Sequence, residues 1–189
     1  MSRGSSASSA RSRPAPARVY STRMAKDETF DITTGADLQE VDNALNQARK
    51  EISTRFDFKN VLAEIEWDKT KAEITVHTTD EYKLDAIWQA LTTRFIARNV
   101  PLKNLVRGTI EQAAQGTVRQ HVTITQAIDS DIARKIVKDI KAEKYKKVQS
   151  SVQGDAVRVS SPSRDELQQV IALLKGNDYG IELKFGNYR

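Results

Sequence analysis

The sequence predicts an α+β protein that contains two copies of one β-α-β-β-α-β unit, each an antiparallel four-stranded sheet with two helices on one face. Apolar residues recur at helical spacing in four segments and alternate with polar residues in the segments between them. The order strand, helix, strand, strand, helix then occurs twice along the 189 residues. Each copy has the size of a small domain, so we expect the two to support each other.

The first copy is predicted over residues 30–117. It begins with the alternating stretch FDITT (30–34), and Asp37 and Glu40 have the spacing of a capping box at the start of the first helix. A hairpin over NVLAEIEW and KAEITVHT leads to a second helix. The last strand of this copy is the least regular, because the segment 101–117 contains a proline and no clean alternation. This strand is therefore predicted to be short or to come from elsewhere in the chain.

The second copy is predicted over residues 118–189. It contains the strand VRQHVTITQAI, a helix in DSDIARKIVKDIKAEK, a hairpin in KKVQSSVQGDAVRVSS, a helix in SRDELQQVIALLKG and a closing strand in GIELKF. Its hairpin and second helix match those of the first copy in the positions of apolar residues, turn and helix start. We expect each copy to form its own sheet from its own strands.

Residues 1–29 are predicted to be a disordered tail rich in Arg, Ser, Ala and Pro. Three interpretations are open: an organellar transit peptide, an arm that binds nucleic acid, or a dispensable extension before a start at Met24. The first 23 residues hold five arginines and no acid, which leaves 25 basic and 25 acidic residues in 24–189. Residues 117–189 have 13 basic against 9 acidic side chains, so a preference for polyanions is expected in the second copy.

Several classes of function have no support in the sequence. Without cysteine, and with only His77 and His121 predicted in different copies, a metal site or a hydrolytic triad is not expected. The glycines match neither a Walker loop nor a dinucleotide loop, and most carboxylates fall at helix starts. No apolar run could span a membrane or act as a secretory signal. We predict a cytoplasmic protein with no membrane partner, no cofactor and no enzymatic activity.

The open face of the second sheet is the predicted binding surface. Strand alternation places on this face a set of polar and basic side chains: Arg119, His121, Thr123, Gln149, Gln153, Arg158 and Lys184. Lys138 on the neighbouring helix adds charge. The matching positions of the first copy are acidic. This set is either a solvated sheet face or a surface for a nucleotide phosphate and base edge. The middle strands carry no aromatic residue, which disfavours RNA binding by base stacking.

Several segments together resemble the YajQ family of bacterial proteins: FDI, DLQEVDNALNQARKEISTRFDFKN, ARKIVKDIK, KVQSSVQGDAVRV, SRDELQQVIALLKGND and LKFGNYR. The resemblance covers about Phe30 to Arg189. It implies a tandem of ferredoxin-like (RNP-like) sandwiches. It also implies a non-enzymatic protein that binds cyclic dinucleotides such as cyclic di-GMP, or other nucleotides. Our leading hypothesis is an effector for a cyclic dinucleotide, whose binding changes the relation between the two copies or to a regulatory protein.

The resemblance also indicates candidate residues. Family members commonly have a lysine in the loop where this chain has Ser161 and Pro162, which weakens a phosphate role for that loop. Arg158 and Arg164 remain as ligand candidates. Phe56 and Phe58 are either core residues or a stacking platform for a base. Two alternatives to a nucleotide effector stay open: an RNA- or tRNA-associated protein that uses the basic second copy, and a protein-interaction adaptor.

Overall fold

A computed structural model describes residues 27–189. Its helices and strands, in chain order, are β1 (Glu28–Thr33), α1 (Leu38–Thr54), β2 (Ala63–Asp68), β3 (Glu73–Thr78), α2 (Glu81–Ala97), β4 (Leu105–Gln112), β5 (Val118–Ile124), α3 (Ser130–Ala142), β6 (Gln149–Gln153), β7 (Ala156–Ser161), α4 (Arg164–Gly176) and β8 (Lys184–Gly186). The prediction for residues 1–26 lies outside the described residues. Glu28 and Thr29, which the prediction placed in the tail, begin β1.

The four helices begin where short polar side chains satisfy their first amides. Asp37 accepts hydrogen bonds from the first turn of α1, and Asp80 and Asp129 cap α2 and α3 in the same way. Ser163 accepts from the Glu166 amide at 3.4 Å to cap α4. The capping site predicted from the sequence at Asp37 is therefore confirmed.

The strands form two antiparallel four-stranded sheets, which confirms the predicted α+β fold. The first sheet has the order β2-β3-β5-β4, and the second has the order β6-β7-β1-β8. Helices α1 and α2 cover one face of the first sheet, and α3 and α4 cover one face of the second. We call these two assemblies the first and the second domain. Each has its own apolar core.

The first strand of each repeat lies in the sheet of the other repeat. β1 pairs with β7, where Phe30 lies opposite Val159, and also with β8. β5 pairs with β3, where Val122 lies opposite Ile74, and also with β4. The prediction that each copy would build its sheet from its own first strand was therefore wrong. Alternation identifies a strand and its apolar face, whereas the choice of sheet depends on where the connection to the next helix leads.

The last strand of the first copy is local. β4 is eight residues long, pairs with β5 and contains an irregularity in register between Arg107 and Ile110. This irregularity explains why the segment shows no clean alternation, because a bulge shifts the following residues to the other face.

Two connections cross between the domains side by side: residues 34–37 and residues 125–129. They approach so closely at Gly35 that a Cβ atom there would lie 2.9 Å from Oε1 and 3.2 Å from the carbonyl oxygen of Gln126. Gly35 also has a φ of 130°, which favours glycine. Glycine at this position thus allows the two connections to cross closely without strain.

Asn104 is the polar centre of this junction and is fully buried. Its amide nitrogen donates to Thr34 Oγ1 and to the carbonyl of Thr125, both at 2.9 Å. Its oxygen accepts from the Glu182 amide at 2.8 Å. One side chain therefore connects both crossing segments with the chain that leads into β8.

No helix within residues 27–189 has the length and apolarity needed to cross a bilayer.

Candidate functional site

The open face of the second sheet contains four of the predicted residues. Arg158 lies in its centre on β7, Gln149 and Gln153 lie on the edge strand β6, and Lys184 lies on β8 next to Thr33. The side chains of Gln149, Gln153 and Lys184 are exposed and present amide and ammonium groups to solvent. The strand exchange alters this face, because β1 now runs between Arg158 and Lys184.

Arg158 is occupied by a carboxylate that the strand exchange brings to it. Its Nε and Nη2 atoms donate to Asp31 at 2.7 and 3.0 Å, and Asn187 donates to the same carboxylate at 2.5 Å. These hydrogen bonds lower the pKa of Asp31 to about 2. The Asp31 carboxylate therefore stays charged at neutral pH. It neutralises the positive charge of Arg158, which was predicted from the sequence to bind a phosphate.

Arg119 and His121 do not lie with Arg158. They belong to β5, so they lie on the open face of the first sheet among the acidic residues of β2 and β3. His121 Nδ1 lies 3.2 Å from Glu73 and 3.2 Å from Thr75. The prediction that they share a basic surface with Arg158 was therefore wrong. The prediction that His77 and His121 lie in different units was also wrong, because His77 lies on β3, the strand that pairs with β5.

The two phenylalanines have different environments. Phe58 is buried in the core of the first domain beneath the cations of Arg55 and Lys83, which lie 5.4 and 5.0 Å from its ring centre. Phe56 is 90% exposed. The core interpretation thus holds for Phe58 alone.

Lys138, the predicted residue on the neighbouring helix, is exposed on α3.

The exchange also removes the basic excess that the sequence assigned to the second copy. Arg119 leaves with β5, and Asp27, Glu28 and Asp31 arrive with β1. Residues 27–33 and 125–189 then hold twelve basic and twelve acidic side chains. General attraction of the second domain for polyanions is therefore weak, and an anion site there needs local geometry.

Such local geometry occurs in a cavity of about 400 Å³ between β1, the first two turns of α4 and the last residues of the chain. We call it the C-terminal cavity. It is lined by Glu28, Thr29, Arg164, Leu167, Gln168, Tyr188 and Arg189. Its volume lies within the range of small-molecule sites in proteins. Of the site residues predicted from the sequence, Arg164 is the one that lines this cavity.

The C-terminal residues are fixed in place around the cavity. Arg189 forms two backbone hydrogen bonds of 3.0 Å with Thr29, which extend the pairing of β1 beyond β8. The ring of Tyr188 packs on the buried ring of Phe30, with 6.0 Å between their centres. Tyr188 nevertheless remains 62% exposed. The cavity therefore has an aromatic wall whose position is set by the core.

Two arginines, Arg164 and Arg189, are among the residues that line the cavity. Arg164 is largely exposed, and its nearest acid is Glu28, with 3.8 Å between Nε and Oε2. At that distance in solvent the ion pair is weak, so Arg164 is available to another anion. Gln168 adds an amide and Thr29 a hydroxyl group. An aromatic face, hydrogen-bonding groups for a base edge and an available guanidinium for phosphate are the chemical features of a nucleotide site.

A larger cavity of about 550 Å³ lies near the domain junction and serves as a comparison. Its lining is mainly apolar, with Ile128, Ile132 and Ile181 among its residues, and Asp129 is its charged residue. A phosphate would meet this carboxylate with no basic residue in the lining, whereas in the C-terminal cavity Glu28 is accompanied by Arg164 and Arg189. The C-terminal cavity is therefore the better candidate for an anionic ligand.

Sequence reasoning missed Tyr188, Arg189 and Gln168 as site residues. The ending LKFGNYR contributes to the family resemblance, but no local pattern indicates that it folds back onto β1 and α4. Within residues 27–189, no group of three His, Asp or Glu side chains has an arrangement suited to a metal ion.

The comparisons with known proteins agree in one family. A family model described as "Nucleotide-binding protein YajQ-like" matches residues 28–189. A curated protein of Koribacter versatilis, named as a nucleotide-binding protein, is 53% identical over 163 residues, which cover 86% of this chain and 98% of the relative. A protein of the same description from Desulforamulus reducens is 49% identical, covering 88% and 99%. One from Solibacter usitatus is 45% identical, covering 86% and 98%.

Proposed function

The chain belongs to the YajQ-like nucleotide-binding protein family, and we propose from this premise that it is a cytoplasmic, non-enzymatic protein that binds a nucleotide in the C-terminal cavity. One observation supports this site above the others. The exposed ring of Tyr188, held by Phe30, lines one cavity together with the arginines Arg164 and Arg189. A base stacks on Tyr188, and the phosphates bind the two arginines.

A cyclic dinucleotide such as cyclic di-GMP is the specific ligand that we propose. It carries two phosphates, and two arginines line the cavity. β1 lines the cavity with Glu28 and Thr29 and then leads directly into the crossing between the domains. Binding therefore acts on the strand that connects the two domains, and the change is passed to a regulatory protein.

Calorimetry of the full chain with a panel of mononucleotides and cyclic dinucleotides tests the proposal. Tyr188→Ala should weaken binding of the best ligand by about 5- to 150-fold, the equivalent of the stacking energy of one base, whereas Tyr188→Phe keeps the ring and should bind like the wild type. Arg164→Ala should weaken binding as well. Arg134→Ala is the matched control, because it removes an exposed arginine from the first turns of α3, away from the cavity.

Two results would overturn the proposal. If no nucleotide of the panel binds more tightly than about millimolar, a free energy near −4 kcal/mol, nucleotide binding itself is wrong. If a nucleotide binds but Tyr188→Ala and Arg164→Ala leave its affinity unchanged, the site is wrong.

Association with RNA is the alternative that the exposed lysines of α3 would support. It predicts a gel shift that weakens with salt and is lost on charge reversal at Lys138 and Lys141. The zero net charge of the second domain counts against it. The same charge reversals should leave nucleotide binding in the C-terminal cavity unchanged.

A further inference from the structure

The chain enters the second domain at the C-terminal cavity. Residues 1–26 connect through Asp27 to β1, and the first residue of β1, Glu28, lines the cavity. Glu28 lies opposite Ser161 in the pairing of β1 with β7, and its carboxylate is 3.8 Å from Nε of Arg164, the first residue of α4. The segment that precedes Asp27 therefore starts beside the N-terminus of α4, which attracts anions.

The segment that precedes Asp27 is strongly basic. Residues 1–26 hold five arginines, one lysine and no acid, and we call them the basic arm. Lys26 is two residues before Glu28, and Arg23 is five residues before it. A chain spans at most about 3.6 Å per residue, so these two Cα atoms are within about 7 and 18 Å of the Glu28 Cα atom by any path. The cavity is therefore within reach of both side chains.

The residues that line the cavity compensate only part of the charge of a cyclic dinucleotide. Arg164 and Arg189 are the basic residues of the lining and Glu28 is the acidic one, which gives a net charge of +1. A cyclic dinucleotide carries one negative charge on each of its two phosphates. Glu28 also repels a phosphate, because both are negatively charged. Additional positive charge at this end of β1 therefore strengthens the binding of such a ligand.

We propose that the basic arm binds the phosphates of the nucleotide in the C-terminal cavity, with Arg23 and Lys26 as its nearest contacts. This inference rests on the nucleotide function proposed above. Covalent attachment to β1 gives both residues a high local concentration at the cavity. Arg3 and Arg11 are 25 and 17 residues before Glu28, so a much larger volume is open to them and their local concentration there is lower. The arm precedes residues 28–189, so this contact comes from outside the family match.

Calorimetry of full-chain variants with the tightest-binding member of the nucleotide panel tests this proposal. Arg23→Gln combined with Lys26→Gln should weaken binding by about 5- to 30-fold at low salt, since one exposed ion pair contributes up to about fivefold. Arg3→Gln combined with Arg11→Gln is the matched control, because it removes the same charge from the far end of the arm, and its affinity should stay within about twofold of the wild type. Salt screens exposed charges, so the difference between the two double variants should shrink as salt is added. Circular dichroism should show that both variants fold.

The possible results separate the arm contact from the proposed function. If Tyr188→Ala weakens nucleotide binding but Arg23→Gln with Lys26→Gln does not, the nucleotide site is correct and the arm contact is wrong. If the two double variants weaken binding equally, the effect comes from net charge alone, and the arm contact is again wrong. If no nucleotide binds to the wild type, the proposed function is wrong and the arm contact is overturned with it.

Discussion

Replacing Asn104 by alanine should destabilise the protein strongly, because this side chain makes three hydrogen bonds at the crossing of the two connections. Its amide nitrogen bonds to Thr34 and Thr125, and its oxygen bonds to the Glu182 amide. Thr34 keeps a partner in the variant, because its hydroxyl also donates to the Glu182 carbonyl at 2.6 Å. The Thr125 carbonyl and the Glu182 amide lose the partner that Asn104 provides.

The magnitude follows from these two orphaned groups. Each unsatisfied buried polar group costs about 1–3 kcal/mol, so Asn104→Ala should lower the free energy of unfolding by about 2–6 kcal/mol. Thr125 also lines the cavity at the domain junction. Water that enters this cavity could bond to the Thr125 carbonyl, and the decrease in the free energy of unfolding would then lie towards the lower end of this range. With a urea slope of about 1–3 kcal/mol/M, the midpoint should fall by on the order of 1–2 M.

Urea unfolding followed by two probes measures this loss. Trp67 and Trp88 are the two tryptophans of the chain, and both pack against the core of the first domain. Tryptophan fluorescence therefore reports on the first domain, and far-ultraviolet circular dichroism reports on both. The midpoint should fall in both signals, since Asn104 connects segments of the two domains.

Lys103→Ala is the control. Lys103 is the neighbouring residue and forms an exposed ion pair with Asp178 of the second domain at 3.3 Å, so its loss should leave the midpoint nearly unchanged. Equal midpoints for Asn104→Ala and the wild type would refute the reasoning, because they would mean that water or other groups satisfy the orphaned atoms completely.

Two further predictions concern the exchanged strand and its connection. Gly35→Ala should lower the free energy of unfolding by about 1–3 kcal/mol, because residue 35 has a positive φ. Adding Gln126→Ala to this variant should not restore the stability, since the Gln126 carbonyl oxygen would still lie 3.2 Å from the new Cβ atom. Full recovery of the wild-type stability in thermal unfolding would contradict this prediction. Asp31 has a lowered pKa of about 2, so its carboxylate stabilises the fold above about pH 4, and this contribution is lost as the pH falls through about 2. Asp31→Asn should therefore reduce the dependence of stability on pH in this acidic range, and an unchanged acid limb in urea titrations would count against the Asp31–Arg158 pair.

The elements themselves were predictable because their signals are local. Helix starts at Asp37 and Ser163 need only a capping side chain and the residues of the next turn. The hairpins are encoded by alternation around short turns. The two-fold repeat of these signals was sufficient to predict two antiparallel sheets with two helices each.

The candidate site was predictable only in part. Arg164 was identified because a basic residue in the first turn of a helix is visible in the sequence. Arg158 could be identified from the sequence in the same way. Its pairing with Asp31 could not, because the two residues are 127 positions apart in the chain. Tyr188 and Arg189 became candidates only when the chain end was seen to pack beside β1.

The sequence by itself determined the number of strands and helices, their order and the apolar face of each, because these follow from residue spacing within each segment. The tertiary structure decided which sheet receives β1 and β5. Both strands alternate in the same way, so either sheet could accept either strand as far as side-chain pattern is concerned. The close crossing at Gly35 and the hydrogen bonds of Asn104 support the exchanged arrangement, and these contacts join residues that are far apart in the chain. The charge of the second domain and the composition of the C-terminal cavity are consequences of that exchange.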